Sequence, residues 1–464
     1  MKRRSFLRGA VISLGAGVSA VPFASNAQAG PYRALVCLSL SGGNDSLNTF
    51  TPINDADSLR SYSRYVAVRG DLALTRGQGG LQQLQDSNLG VHPKLTQIGT
   101  SWAAGKLALI HNVGSIPQPV SIGQITQARM KDSSWIPEGL FSHSDQTYQW
   151  DTSLSTSDIY LGWGGNGAEQ LLNNQVISFA NNSRFGNSRS YKALVLPLPG
   201  STFAMRTWAT QFNPSARQAA LEQLVTMSAP ATIIEQKIKE QQLSSLSLSR
   251  SLTTTLGRAP GAAGSNPAID AAFGNLQGLY ATEISRQLYQ VIKFLDPAGR
   301  SKLTGPKHIF YVRQEGFDHH GAQARSQEQL FLELNAALSA FTKSLELLGL
   351  EDNVTLFSSS EFGRTFRPNR SLGTDHAWGA SHFVLGGAVK GKQEYGVYPN
   401  LVLGGSDDIE QYGASASNGR WLPTTSVSQY GATLLEWLSP GGNLNAVFPN
   451  LKNFPVKNLG FMKA

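Results

Sequence analysis

The chain has 464 residues, with 39 Lys and Arg against 31 Asp and Glu and a single cysteine. A hydrophobic fraction of 41% beside 15% charged residues excludes a disordered chain. One cysteine excludes an intramolecular disulfide framework and any thiolate-rich metal site.

Half of the net charge of +8 lies in Lys2, Arg3, Arg4 and Arg8. These residues open a mildly apolar stretch from Gly9 to Ala24, and Ala27-Gln28-Ala29 then offers small residues for cleavage. Residues 1–29 therefore read as an export signal of the twin-arginine kind, too short and Gly-rich for a stable membrane span. The chain from 30 to 464 is expected in the periplasm or otherwise exported, with the twin-arginine translocase as a partner only during export. A protein that folds before export has no need of disulfides, and Cys37, in an apolar run, is expected to be a buried core thiol. No later block of Lys and Arg interleaves with aromatics, and no run reaches membrane-helix length. Nucleic-acid partners and a membrane span in the mature form are thus not expected.

Short apolar runs then alternate with helical patterns, which points to an α/β fold with a mostly parallel sheet flanked by helices. Strands are expected over 34–40, 107–110 and 193–196. Residues from about 201 to 256 are rich in Gln, Ser and Ala at helical spacing and read as a helical insertion; about 257–268 read as a flexible loop. Further strands are expected over 309–312, 354–357 and 383–385. Between them, Leu330, Leu334, Leu338, Phe341, Leu345 and Leu348 recur every three or four residues, so one helix face packs on the sheet until Gly349 ends it. No P-loop or dinucleotide-binding fingerprint occurs.

In an open parallel sheet, functional groups collect beyond the carboxyl ends of the strands. The first strand runs into Gly42-Gly43-Asn44-Asp45, the 309–312 strand into Gly316-Phe317-Asp318-His319-His320, and the 354–357 strand into Ser360-Glu361-Phe362-Gly363-Arg364. Gly373-Thr374-Asp375-His376 precedes the last strand. Asp45, Asp318, His320, Glu361, Asp375 and His376 are therefore expected as divalent-metal ligands on one rim. Asp318 and His320, two apart, point the same way in extended backbone, and His319 between them is the alternative. Carboxylates and imidazoles without thiolate suit Zn, Mn, Mg or Fe, and composition does not choose among them. A Glu361–Arg364 ion pair is the structural alternative for that segment. His92, His111 and His308 read as structural, and His382 as a lower-ranked ligand.

Gly139-Leu140-Phe141-Ser142-His143-Ser144-Asp145 stands before a helical pattern. A serine there caps the helix, and the same geometry offers positive potential and free N–H groups to a nucleophile attacking an anionic ester.

The string Gly42-Gly43-Asn44-Asp45-Ser46-Leu47-Asn48 resembles the opening "GGxDxLN" pattern of the domain-of-unknown-function 1501 family, which is itself similar to the alkaline phosphatase/sulfatase superfamily. Gly316-Phe317-Asp318-His319-His320 resembles its "GWDTH", Ser360-Glu361-Phe362-Gly363-Arg364-Thr365 its "SEFGRT", and Gly373-Thr374-Asp375-His376 its "GTDHG". Phe141-Ser142-His143-Ser144 is similar to its "SHF" segment. The resemblance implies an alkaline phosphatase-like fold, one or two divalent cations at the carboxyl edge of the sheet, and a covalent intermediate on a hydroxyl. It would make Ser142 the nucleophile, Asp45, Asp318, His320 and His376 metal ligands, and Glu361 the counterpart of a second Asp-His pair.

The expected function is an exported, metal-dependent hydrolase or transferase of phosphate or sulfate esters. Its substrate would be a small anionic ester or a decorated polymer. Ser142 attacks, Arg364 and Asn48 steady the developing charge, and His143 contacts substrate. The alternative is a catalytically reduced envelope protein of the same fold, acting as a binding or structural module.

Overall fold

A computed structural model describes residues 31–125, 136–154, 161–199 and 256–464 except 412, together with 214–227 and scattered positions from 229 to 252. Residues 1–29, read from sequence as an export signal, lie outside the described residues.

The first strand, β1 (Arg33–Leu40), carries the apolar run Ala-Leu-Val-Cys-Leu and is buried on both faces, as a central parallel strand requires. Short strands β2 (Phe50–Pro52), β3 (Gln82–Gln83) and β4 (Leu89–Val91) form a small antiparallel sheet with order β2-β4-β3. The main sheet adds β5 (Leu107–Gly114), β6 (Ile177–Ser178), β7 (Leu194–Val195), β8 (Lys307–Gln314), β9 (Val354–Ser359), β10 (Ala380–Leu385), β11 (Gln393–Tyr395) and β12 (Thr425–Ser426). Its order is β11-β5-β10-β9-β1-β8-β6-β7, with β12 also on β5. Every pair is parallel except those made by β10.

Side chains alternate between two cores. Val36, Leu38, Phe310 and Val312 face helices α2 (Thr96–Ala103), α6 (Glu283–Leu295) and α7 (Gln323–Leu348). Leu35, Cys37, Ile309, Tyr311 and Phe357 face α3 (His143–Thr152), α4 (Trp163–Leu172) and α8 (Val427–Leu438). The remaining principal helices are α1 (Tyr62–Arg69) and α5 (Pro214–Met227), the latter inside the span read as an insertion. The loop read as flexible is tied down: Gly261 N–H donates to Asp270 and Lys293 Nζ to the Arg258 carbonyl. Helix α7 joins β8 to β9 across β1, and Gly349 ends it in the left-handed region at φ 63°.

This topology explains why four motifs share one edge. The adjacent parallel strands β9, β1 and β8 end in register, Ser359 beside Ser39 and Leu40 beside Gln314. Because β10 runs the other way, the segment before it, 373–379, lies at the edge where the parallel strands end.

Candidate metal centre

The loop after β1 can approach its neighbours only because it has no side chains there. At Gly42 (φ 115°) a Cβ would stand 2.5 Å from the Asp318 nitrogen; at Gly43 (φ 78°) it would stand 2.2 Å from the Phe362 ring. Arg364, buried on the next loop, stitches the edge together. Its Nε donates to the Gly43 carbonyl (2.7 Å) and Nη1 to that of Thr374 (2.9 Å). Its Nη2 reaches the Gly42 and Phe317 carbonyls and, at 2.6 Å, Asp318 Oδ1. Carbonyl groups of all four motif segments except its own thus converge on one guanidinium.

Around Asp318 stand three imidazoles, each held by its Nδ1 to an outer acceptor. His143 Nδ1 donates to Glu361 Oε1 (2.9 Å), His320 Nδ1 to Asp375 Oδ1 (3.1 Å), and His376 Nδ1 to the Phe141 carbonyl (2.6 Å). Each ring therefore turns Nε2 inward. His320 Nε2 lies 3.0 Å and His376 Nε2 3.2 Å from Asp318 Oδ1, and His143 Nε2 lies 3.3 Å from Oδ2. The His320 and His376 Nε2 atoms are 2.8 Å apart. His143, Asp318 and His376 each offer a ligand atom within 4.8 Å of the others.

With Nδ1 protonated, a neutral imidazole has only a lone pair at Nε2. Lone pairs then face a carboxylate and one another, an arrangement that a cation between them satisfies. His143 Nε2 is itself buried and finds no hydrogen bond among the described residues. An imidazole whose Nδ1–H is held by a carboxylate or carbonyl is the usual outer support of a metal-binding histidine. The side chains of His320, Asp318 and His143 are 46%, 44% and 37% exposed, so the centre opens to solvent.

The electrostatics favour the ligand forms of Asp318 and His376, while His143 is drawn toward its protonated form. Burial pushes the Asp318 carboxyl up, but Arg364, with help from His376 and His143, outweighs it and holds the group well below the usual carboxylate range. Burial lowers His376, which favours its neutral form. The Glu361 hydrogen bond raises His143.

The expected site residues divide into three sets. Asp318, His320 and His376 come together, with His319 turned inward beside Phe317. Glu361 and Asp375 stand one layer out, Glu361 taking the His143 Nδ1–H and the Gly42 N–H (2.8 Å), Asp375 taking His320 and Asn369. Asp45 and Asn48 stand apart. Asp45 is buried and paired with Arg69 through two bonds, 2.5 and 3.0 Å, while Gln323 Nε2 donates to it at 2.6 Å. With those donors on its oxygens, Asp45 anchors the loop instead of joining the ligand group. Asn48 binds the Leu72 carbonyl and the Tyr65 hydroxyl. Arg364 has its donors on main-chain carbonyls and Asp318, so it faces the loops rather than a substrate. It does not pair with Glu361 among the described residues. His382 is buried against Trp150 and Tyr430.

Ser142 caps α3, its Oγ accepting from the Asp145 nitrogen at 3.4 Å and lying 2.9 Å from Ser144 Oγ. His143, expected from sequence to contact substrate, stands instead in the cluster around Asp318. Its one signal was its position at the start of a helix that begins on the rim.

Residues 301–408 match the family model described as "Protein of unknown function (DUF1501)". That span holds Asp318, His320, Glu361, Asp375 and His376, and excludes Asp45 and His143. No curated protein matches the chain. Among solved structures it is similar to a His-to-Asp variant of TAB5 alkaline phosphatase with Mg bound in the M3 site. Identity is 11% and the TM-score 0.28, over 80% of this chain and 95% of that one. It is also similar to alkaline phosphatase from the Antarctic bacterium TAB5, at 11% identity and a TM-score of 0.21, over 80% and 96% of the two chains.

Proposed function

We propose that the protein is an exported, divalent-metal-dependent hydrolase or transferase acting on phosphate or sulfate esters. The observation that carries this reading is the convergence of three Nε2 atoms on the Asp318 carboxylate at an open sheet edge. His143, Asp318, His320 and His376 would hold the cation. When bound, a divalent cation there supplies Lewis-acid chemistry and lowers the pKa of a neighbouring hydroxyl. Glu361, Asp375 and the Phe141 carbonyl keep the three rings in one tautomer and orientation. Arg364 keeps Asp318 ionised and locks the loops that carry it.

Ser142 is the proposed nucleophile. It sits at the N-terminus of α3, next in sequence to His143, where the helix dipole favours an anionic group. The observed partners of Glu361 and Arg364 support a site open to ligands over a sealed ion pair.

The test is metal analysis of the purified mature protein combined with aryl phosphate and aryl sulfate hydrolysis. Stoichiometric divalent metal, lost in His320→Ala together with activity, is the expected outcome. Ser142→Ala should lower turnover by roughly 100-fold or more while metal stays bound. A metal-free, active protein would overturn the reading. An unimpaired Ser142→Ala enzyme would remove only the nucleophile.

A further inference from the structure

The loop before α3 carries a strained residue that the proposed chemistry does not by itself require. Phe141 has φ 75°, a left-handed conformation that bulky side chains avoid. Both of its main-chain polar groups are engaged. Its carbonyl accepts the His376 Nδ1–H, and its N–H donates to Gln146 Oε1, each at 2.6 Å. Arg420 lies over the Phe141 ring, 4.8 Å from its centre, and its Nε donates to the His376 carbonyl at 2.7 Å.

Gln146 is fully buried, and its Nε2 has no hydrogen-bond partner among the described residues. An unpaired buried amide nitrogen costs stability, so an apolar side chain of similar length would suit the helix better if packing were its only task. What glutamine adds is the acceptor on the Phe141 nitrogen. That bond keeps the peptide in the orientation in which the next carbonyl meets His376.

We infer that Gln146 is a positioning residue for the metal centre: through the strained Phe141 peptide it sets the tautomer and direction of His376. Without the acceptor, Phe141 relaxes to negative φ, its carbonyl turns from Nδ1, and His376 loses its outer support. The segment 139–146 thus supplies a ligand, His143, and also the brace of a second ligand from a distant part of the chain. This inference rests on the metal reading and adds a residue to it.

The experiment uses the full chain and Co2+ as the probe, read by its visible spectrum and by affinity in chelator competition. Gln146→Leu should bind Co2+ about 10- to 100-fold more weakly, the usual effect of removing an outer-shell partner, with an altered spectrum. Gln146→Glu retains an oxygen acceptor and should restore affinity to within about threefold. Gln146→Met serves if the leucine variant does not fold, and metal-free thermal melts check folding in each case. Wild-type affinity and spectrum in the Leu or Met variant would overturn the inference, as would equal loss in Gln146→Glu. A wild-type chain that takes up no Co2+ would overturn the metal reading and the inference with it.

Discussion

At the scale of single residues, identity alone left the ionisable groups of the rim equivalent, and their partners separate them. Asp45 and Asp318 both follow a strand, yet Arg69 and Gln323 fill the first while three imidazoles surround the second. Removing one member of a buried pair leaves a charge uncompensated, which costs about 3–5 kcal/mol. Arg69→Met should therefore lower unfolding free energy by about that amount in denaturant melts. Metal stoichiometry in the folded protein should stay unchanged. Loss of metal from folded Asp45→Asn would return Asp45 to the ligand set.

At the scale of elements, the rim depends on a loop that bends where side chains cannot follow. Gly43 has φ 78°, and a Cβ there would overlap the Phe362 ring. Phe362 in turn stacks on His376, ring centres 4.5 Å apart, and lies 4.8 Å from His143. Gly43→Ala must displace that ring, so it should destabilise the fold by about 1–3 kcal/mol. It should also weaken Co2+ binding, measured by titration of the folded variant. Much at this scale was legible beforehand. The strands at 34–40, 309–312 and 354–357 form where apolar runs predict them, and α7 ends at Gly349. Its first two turns, Gln323 to Gln329, are largely polar and were invisible to a periodicity built on leucines. The direction of β10 was equally hidden, because an antiparallel strand buried on both faces has the same apolar run as a parallel one.

Across the whole molecule, the two-sided core buries histidines as neutral rings, and this sets the acid behaviour. Burial lowers His308 to about 4 and His382 to about 3. Both titrate near 6.5 when unfolded. Above that pH the rings are neutral in either state. Below it the unfolded chain takes protons that the native core refuses, so stability falls as pH drops from about 6.5 toward the folded values. Denaturant midpoints should decline below pH 6.5, less steeply than the buried histidines alone would give, because burial raises Asp151 to about 7 and the native state takes up that proton first. His382→Phe, set between Trp150 and Tyr430, should remove up to ~1.4 kcal/mol per pH unit from that slope. An unchanged slope would show that His382 does not contribute.

The amino-acid sequence by itself determined the α/β class, most central strands and the four polar segments at their ends, because burial on both faces and turn chemistry are written locally. It also marked Asp318, His320 and His376 as residues of one rim, where the structure brings them together. Only the tertiary structure decided which carboxylates face inward and which stand behind a ring. It alone placed His143 opposite Asp318, 175 positions away along the chain. Coordination geometry is a relation among segments that meet only after the sheet has formed, and no local pattern encodes it.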